Sequence, residues 1–312
     1  MGKYNLTRMT DLSLEDVEEI YRISAETKDD VKNEREHHLL RGKLLAMYFE
    51  KPSLRTRCTF EAGMFDLGGH AIQLEGNTVG IGRRESVYDV AKNLERWFDL
   101  IMIRTYQQRI VEELAQHANI PVINALTDDY HPCQALADLF TVREHMGALK
   151  GLTLTFMGDG NNICASLAQL CPMLGVNFRH CGPSQFQLKP HIFTAAQKLA
   201  QASGATVEYT DDPAAAVKGA NMIYTDVWAS MGQEAEAEQR KTIFMPYQVN
   251  TALMAQAEAD ALIMHDLPAH RGEEITDDVI DSPRSIVFDQ AENRLHVQKG
   301  IMVHLFFKNK KA

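Results

Sequence analysis

Short apolar runs of strand length alternate along this chain with stretches whose apolar residues recur three and four positions apart. The first group of runs is Leu44–Phe49, Ala71–Leu74, Leu100–Ile103 and Val122–Asn124. The second is Leu152–Met157, Asn177–His180, Met222–Thr225 and Ala261–Met264. Helical spacing appears between them, as from Cys58 to Leu67 and from about His131 to His145. A parallel sheet needs a crossover between neighbouring strands, and that crossover is usually a helix lying against the sheet. The pattern therefore predicts an α/β fold of two domains, each a parallel sheet flanked by helices. The boundary is expected around Gly147–Gly151, after the helix that starts near His131; no low-complexity linker and no internal repeat is visible.

Composition narrows the class without changing the fold. With 312 residues, 45% hydrophobic and 24% charged, the chain suits a soluble globular protein able to fill two cores. A net charge of −10 argues against nucleic-acid and membrane-surface partners, whose phosphates are held by clustered cations. Local pairs such as Arg55 with Arg57 and Arg83 with Arg84 still suit one small anion. Five cysteines, an odd number without metal-ligand spacing, read as reduced thiols. The polar N-terminal stretch from Met1 to Asp30 has no signal-like core, and no apolar run reaches membrane-spanning length. A cytoplasmic protein is expected.

Three stretches carry candidate chemistry. In Glu50-Lys51-Pro52-Ser53-Leu54-Arg55-Thr56-Arg57, hydroxyls and guanidinium groups stand where a strand passes into a helix. Ser53 can cap that helix, whose free N–H groups and positive dipole end attract an anion such as phosphate. An ordinary capped helix with solvated arginines would read the same way. In His131-Pro132-Cys133-Gln134, the proline suits the first helical position, and His131 and Gln134 then share a face at the helix start. An imidazole and an amide there can donate to a carbonyl oxygen, although a lone histidine at a helix start is commonly structural. Cys133 reads as packing. The third stretch, Gly158-Asp159-Gly160-Asn161-Asn162, follows a strand and opens a helix, yet Ile163 replaces the third glycine of a dinucleotide fingerprint. Its asparagines suit a carboxylate or an amine better than a pyrophosphate.

These stretches, taken with Asp226-Val227-Trp228-Ala229-Ser230-Met231-Gly232-Gln233-Glu234 and His265-Asp266-Leu267-Pro268-Ala269-His270-Arg271-Gly272, resemble the aspartate/ornithine carbamoyltransferase family, its ornithine-specific branch above all. The motifs stand in family order over nearly the whole chain. The resemblance implies a carbamoyl phosphate-binding domain over 1–147, an ornithine-binding domain over 148–290 and an active site in the cleft between them. It also implies a C-terminal helix over about 291–309 that packs back on the first domain. The implied reaction carries the carbamoyl group of carbamoyl phosphate to the δ-amine of L-ornithine, giving L-citrulline and phosphate with neither metal nor cofactor. Ser53, Leu54, Arg55 and Thr56 match the family's phosphate loop, joined by Arg104 and Arg294. His131, Gln134 and the Leu267 backbone match the carbamoyl contacts, while Asn162, Asp226, Ser230 and Met231 match those to ornithine. Arg104, His131, Asp266 and Arg294 are the expected catalytic group. The family's shared sites imply a homotrimer or a multiple of trimers.

Two departures keep rival readings open. The family usually has His-Cys-Leu-Pro where this chain has His265-Asp266-Leu267-Pro268, which puts a carboxylate beside the reacting amine. If ionised next to Asp226, it favours ammonium over amine; if the two share a proton, one neutral carboxyl becomes a hydrogen-bond donor. Gly80 stands where relatives place Gln or His to reach a neighbouring subunit, and Arg83 or Arg84 is the candidate replacement. The rivals are transfer to another amine, such as an N-modified ornithine, and a non-catalytic paralogue that only binds carbamoyl phosphate.

Overall fold

The computed structural model describes residues 3–230, 232 and 234–311. Its chain divides into two compact units, Met1–Phe140 with Glu292–Ala312 and Thr141–Ala291. The division falls inside the helix Pro132–Met146.

The first unit is built on a four-stranded parallel sheet. Its strands are β1 (Leu44–Phe49), β2 (His70–Glu75), β3 (Leu100–Arg104) and β4 (Val122–Leu126), in the order β2-β1-β3-β4. Strands β3 and β4 are buried along their whole length, which is why their sequence is a continuous apolar run. Helices Val87–Trp97 and Gln108–His117 cover one face, with Val90, Leu94, Val111 and Leu114 packed on Ala46, Tyr48, Ile101 and Ile103. The C-terminal helix Val287–Lys311 lies close to the helix Leu14–Lys32 at Gly300, where an added Cβ would stand 2.3 Å from Ser24 Oγ and 2.6 Å from the Ile20 carbonyl.

The second unit carries five parallel strands: β5 (Thr153–Met157), β6 (Asn177–Cys181), β7 (Val207–Thr210), β8 (Met222–Thr225) and β9 (Leu262–His265). Their order is β7-β6-β5-β8-β9. Met157, Ile223 and Ile263 from the sheet share a core with Val217, Leu253 and Val279. The predicted α/β class with two parallel sheets is observed. Each sheet has one point at which the strand order reverses, between β1 and β3 in the first and between β5 and β8 in the second. Loops leaving the carboxyl ends of two such strands diverge, and the crevice between them is the natural ligand site of an open α/β sheet.

Candidate functional site

At the first reversal, β1 leads into Glu50–Ser53 and β3 ends on Arg104. Ser53 caps the helix Leu54–Asp66, its hydroxyl accepting the Thr56 N–H at 3.2 Å. That helix begins four residues before Cys58, because the cap rather than apolar spacing sets its start. Leu54 is exposed and Arg55 half-buried, with no ion pair to Arg55 among the described residues. Thr56 is buried, and its hydroxyl accepts from two guanidinium groups, Arg104 Nη1 at 3.4 Å and Arg294 Nη2 at 3.2 Å. With both lone pairs engaged, its single proton is left for a third acceptor.

Pro132 opens its helix at the first position, and this helix presents His131 and Gln134 at its start. Arg294 donates to Gln134 Oε1, while Gln134 Nε2 donates to the buried Asp138 carboxylate at 2.8 Å, so the amide is oriented from both ends. Burial, reinforced by Arg294, Arg104, Arg55 and Lys51, holds the His131 pKa well below the ordinary imidazole range. His131 is therefore a neutral ring among fixed cations. Cys133 is buried packing, its thiol pushed up to about 12 by burial.

Lys51 escaped the sequence reading as a site residue. It is buried, pairs with Asp128 at 2.5 Å and lies 4.4 Å from the Tyr106 ring centroid. Gly80 has a left-handed backbone at φ 64°, and a Cβ there would meet Arg84 Cβ at 2.9 Å. Glycine is thus required by the turn itself. Arg83 pairs with Glu50 at 2.8 Å and Arg84 donates to the Thr78 carbonyl at 3.0 Å, so both candidate replacements are engaged within their own unit.

At the second reversal, β5 leads into Gly158–Asn161 and β8 into Asp226. Asn161 caps the helix Asn162–Met173 and also donates to Asp226 Oδ2 at 2.7 Å. Oδ1 of Asp226 accepts the Val227 N–H at 2.7 Å, which fixes the carboxylate. Asn162 is the first residue of the helix and half-buried, as is Ser230; Met231 lies outside the described residues. Leu267, expected with the carbamoyl group, belongs to this second unit, next to Asp266 at the end of β9.

Asp226, His265 and Asp266 bring one potential ligand atom each within 4.8 Å of one another, as do His270, Glu273 and Glu274. In the first group His265 has no lone pair for a metal: Nδ1 accepts the Leu267 N–H at 2.9 Å and Nε2 faces Glu274 at 3.0 Å. What remains is two carboxylates suited to an ammonium. Arg240, which no motif contained, and Asp159, which stood in a motif without a role, complete this unit. Arg240 pairs with Asp159 and packs 4.5 Å from the Phe186 ring centroid, though the charged run around it reads as a solvated helix. Burial, together with nearby Asp226, raises Asp159 to about 6 against the lowering effect of Arg240.

Comparison with known proteins shows what the chain is similar to. Residues 4–144 match the family model described as "Aspartate/ornithine carbamoyltransferase, carbamoyl-P binding domain", and residues 150–305 match that of the "Asp/Orn binding domain". The ornithine carbamoyltransferase of Anoxybacillus flavithermus is 49% identical over 97% of this chain and 96% of the relative. The Bacillus subtilis protein of the same name is 48% identical over 100% of the chain and 96% of its own length. Among solved structures, ornithine carbamoyltransferase from Pyrococcus furiosus superposes with a TM-score of 0.94 at 47% identity, covering 96% of each chain.

Proposed function

This chain belongs to the aspartate/ornithine carbamoyltransferase family, and from that premise we propose that it transfers the carbamoyl group of carbamoyl phosphate to the δ-amine of L-ornithine, releasing L-citrulline and phosphate. The observation that carries the reading is the donor cluster of the first unit, in which Arg104 and Arg294 converge on the Thr56 hydroxyl beside a neutral His131.

Attack by the amine turns the planar carbamoyl carbon tetrahedral, so negative charge grows first on its oxygen and then on the departing phosphate. Thr56, Arg104 and His131 are the donors for that oxygen. Such donors, already oriented, are worth about 3 to 4 kcal/mol each when removed. Arg55, Arg294 and the capped helix start with Ser53 and Leu54 hold the phosphate, where forked guanidinium donors match its oxygens. Gln134 keeps one lone pair of its oriented Oε1 for the carbamoyl N–H₂. A neutral His131 donates without adding a cation that would hold phosphate back. On the acceptor side, Asn162, Asp226, Ser230 and Met231 are the proposed contacts to the amino acid, with Asp266 and the Leu267 carbonyl nearest the chemistry. The amine must lose its proton before attack, and the leaving phosphate is the acceptor for the proton released afterwards. Much of the rate comes from holding two reactants in attack geometry.

A homotrimer, or a multiple of it, in the cytoplasm completes the proposal. The five free cysteines support a reducing compartment. The rival reading is transfer to another amine, such as an N-modified ornithine. Citrulline formation from carbamoyl phosphate with L-ornithine, against putrescine and N-acetylornithine as competing acceptors, tests the assignment. Preference for L-ornithine supports it, and preference for either rival overturns it.

A further inference from the structure

One buried carboxylate ties together the turn that leaves β9. Glu274 Oε1 lies 3.0 Å from His265 Nε2 and also accepts the His270 backbone N–H at 2.6 Å. The other ring nitrogen, His265 Nδ1, accepts the Leu267 N–H at 2.9 Å. An accepting ring nitrogen carries no proton, so the proton sits on Nε2 and is donated to Glu274. Both side chains are wholly buried, and Gln290 Oε1 takes the His265 N–H at 3.0 Å. The segment held in this way contains Leu267 at φ 57°, a left-handed conformation that leucine seldom adopts and that persists only where its surroundings impose it.

We propose that Glu274 is a positioning residue for the transfer, which acts through His265. By fixing the histidine tautomer it supplies the acceptor for the Leu267 N–H, and so sets where the Leu267 carbonyl and the Asp266 carboxylate stand. The inference rests on the proposed roles of Leu267 and Asp266. Glu274 itself touches no substrate.

The test compares Glu274→Ala with Glu274→Gln in the full chain. In Glu274→Gln the amide oxygen takes over both N–H groups, while its N–H₂ replaces Oε2, an atom without a hydrogen-bond partner. Loss of the anchor moves the reacting groups, and displacement of about 1 Å costs about 10²-fold in rate. Glu274→Ala is therefore expected to lose about 10²-fold in kcat/KM at a temperature where circular dichroism shows it folded, and Glu274→Gln to regain most of that. Nitrogen chemical shifts of His265 should report the Nε2–H tautomer in wild type and Glu274→Gln, and a mixture in Glu274→Ala. A folded Glu274→Ala with wild-type kinetics, or with an unchanged tautomer, overturns the inference. If Glu274→Ala does not fold, Glu274→Asp, one methylene shorter, takes its place against Glu274→Gln. Wild type that forms no citrulline would count against the function alone, since the tautomer shifts still decide the role of Glu274.

Discussion

At the scale of single residues, the first unit turns on one hydroxyl. Thr56→Val keeps the volume of the side chain and removes the acceptor shared by Arg104 and Arg294. Loss of one oriented donor is expected to lower kcat by about 10² to 10³-fold while circular dichroism stays native; a loss under about threefold would remove Thr56 from the mechanism. In the second unit, Asp266 stands near Asp226, and an ionised carboxylate beside a bound ammonium favours the protonated amine. Asp266→Cys should therefore raise turnover and move the acid limb of the pH profile to lower pH, as read by citrulline formation against pH. An unchanged profile makes Asp266 a bystander. Most of the residues in these arguments were visible in motifs. Their pairings were not, because Asp138, Asp159, Arg240 and Glu274 gain their meaning from packing that no local spacing encodes. Arg240 shows why: it sits in a charged run, yet it is buried against Phe186 and Phe244 and paired with an aspartate 81 positions away.

At the scale of elements, caps and close approaches decide where helices start and how near they come. Ser53→Ala removes the cap of the helix Leu54–Asp66, which typically costs about 1 kcal/mol, and should weaken carbamoyl phosphate binding if, as proposed, the same N–H groups hold the phosphate. Calorimetry of binding and urea unfolding read the two effects separately. Unfolding affected without any change in binding would make the cap purely structural. Gly300→Ala is expected to destabilise by about 1 to 3 kcal/mol, since its Cβ would press on Ser24 and the Ile20 carbonyl. A melting temperature equal to wild type would show that the two helices can part at no cost. The same scale explains how well the strands were read. β1 and β8 were predicted at the residues observed and the other six within two residues at either end; β1 and β3 are apolar almost throughout, while β2 and β6 mix apolar with polar residues. β7 was missed: Val207-Glu208-Tyr209-Thr210 lies at the sheet edge, where one face meets solvent and the sequence alternates.

At the scale of the whole molecule, pH acts through buried histidines. His180 is lowered to about 4 and His296 to about 3 by burial, and His131, His37 and His304 are lowered for the same first reason. A histidine whose folded pKa lies below its unfolded value binds more protons when unfolded, so its stabilising share is full above about pH 6.5 and is lost as pH falls toward the folded value. Asp159, raised to about 6, works in the opposite sense, since the folded state takes up its proton first. Five histidines outweigh one carboxylate, so the urea midpoint should fall between about pH 7 and pH 5. A midpoint that rises over this interval would contradict the histidine account. Because burial holds His131 well below the ordinary imidazole range, the acid limb of activity should follow the acceptor amine instead.

The most direct measurement is citrulline formation from carbamoyl phosphate and L-ornithine across about pH 6 to 10, the range in which the acceptor amine comes to be deprotonated. The account predicts robust turnover that rises with pH through an alkaline acid limb. Binding of carbamoyl phosphate without citrulline at any pH in that range would contradict it.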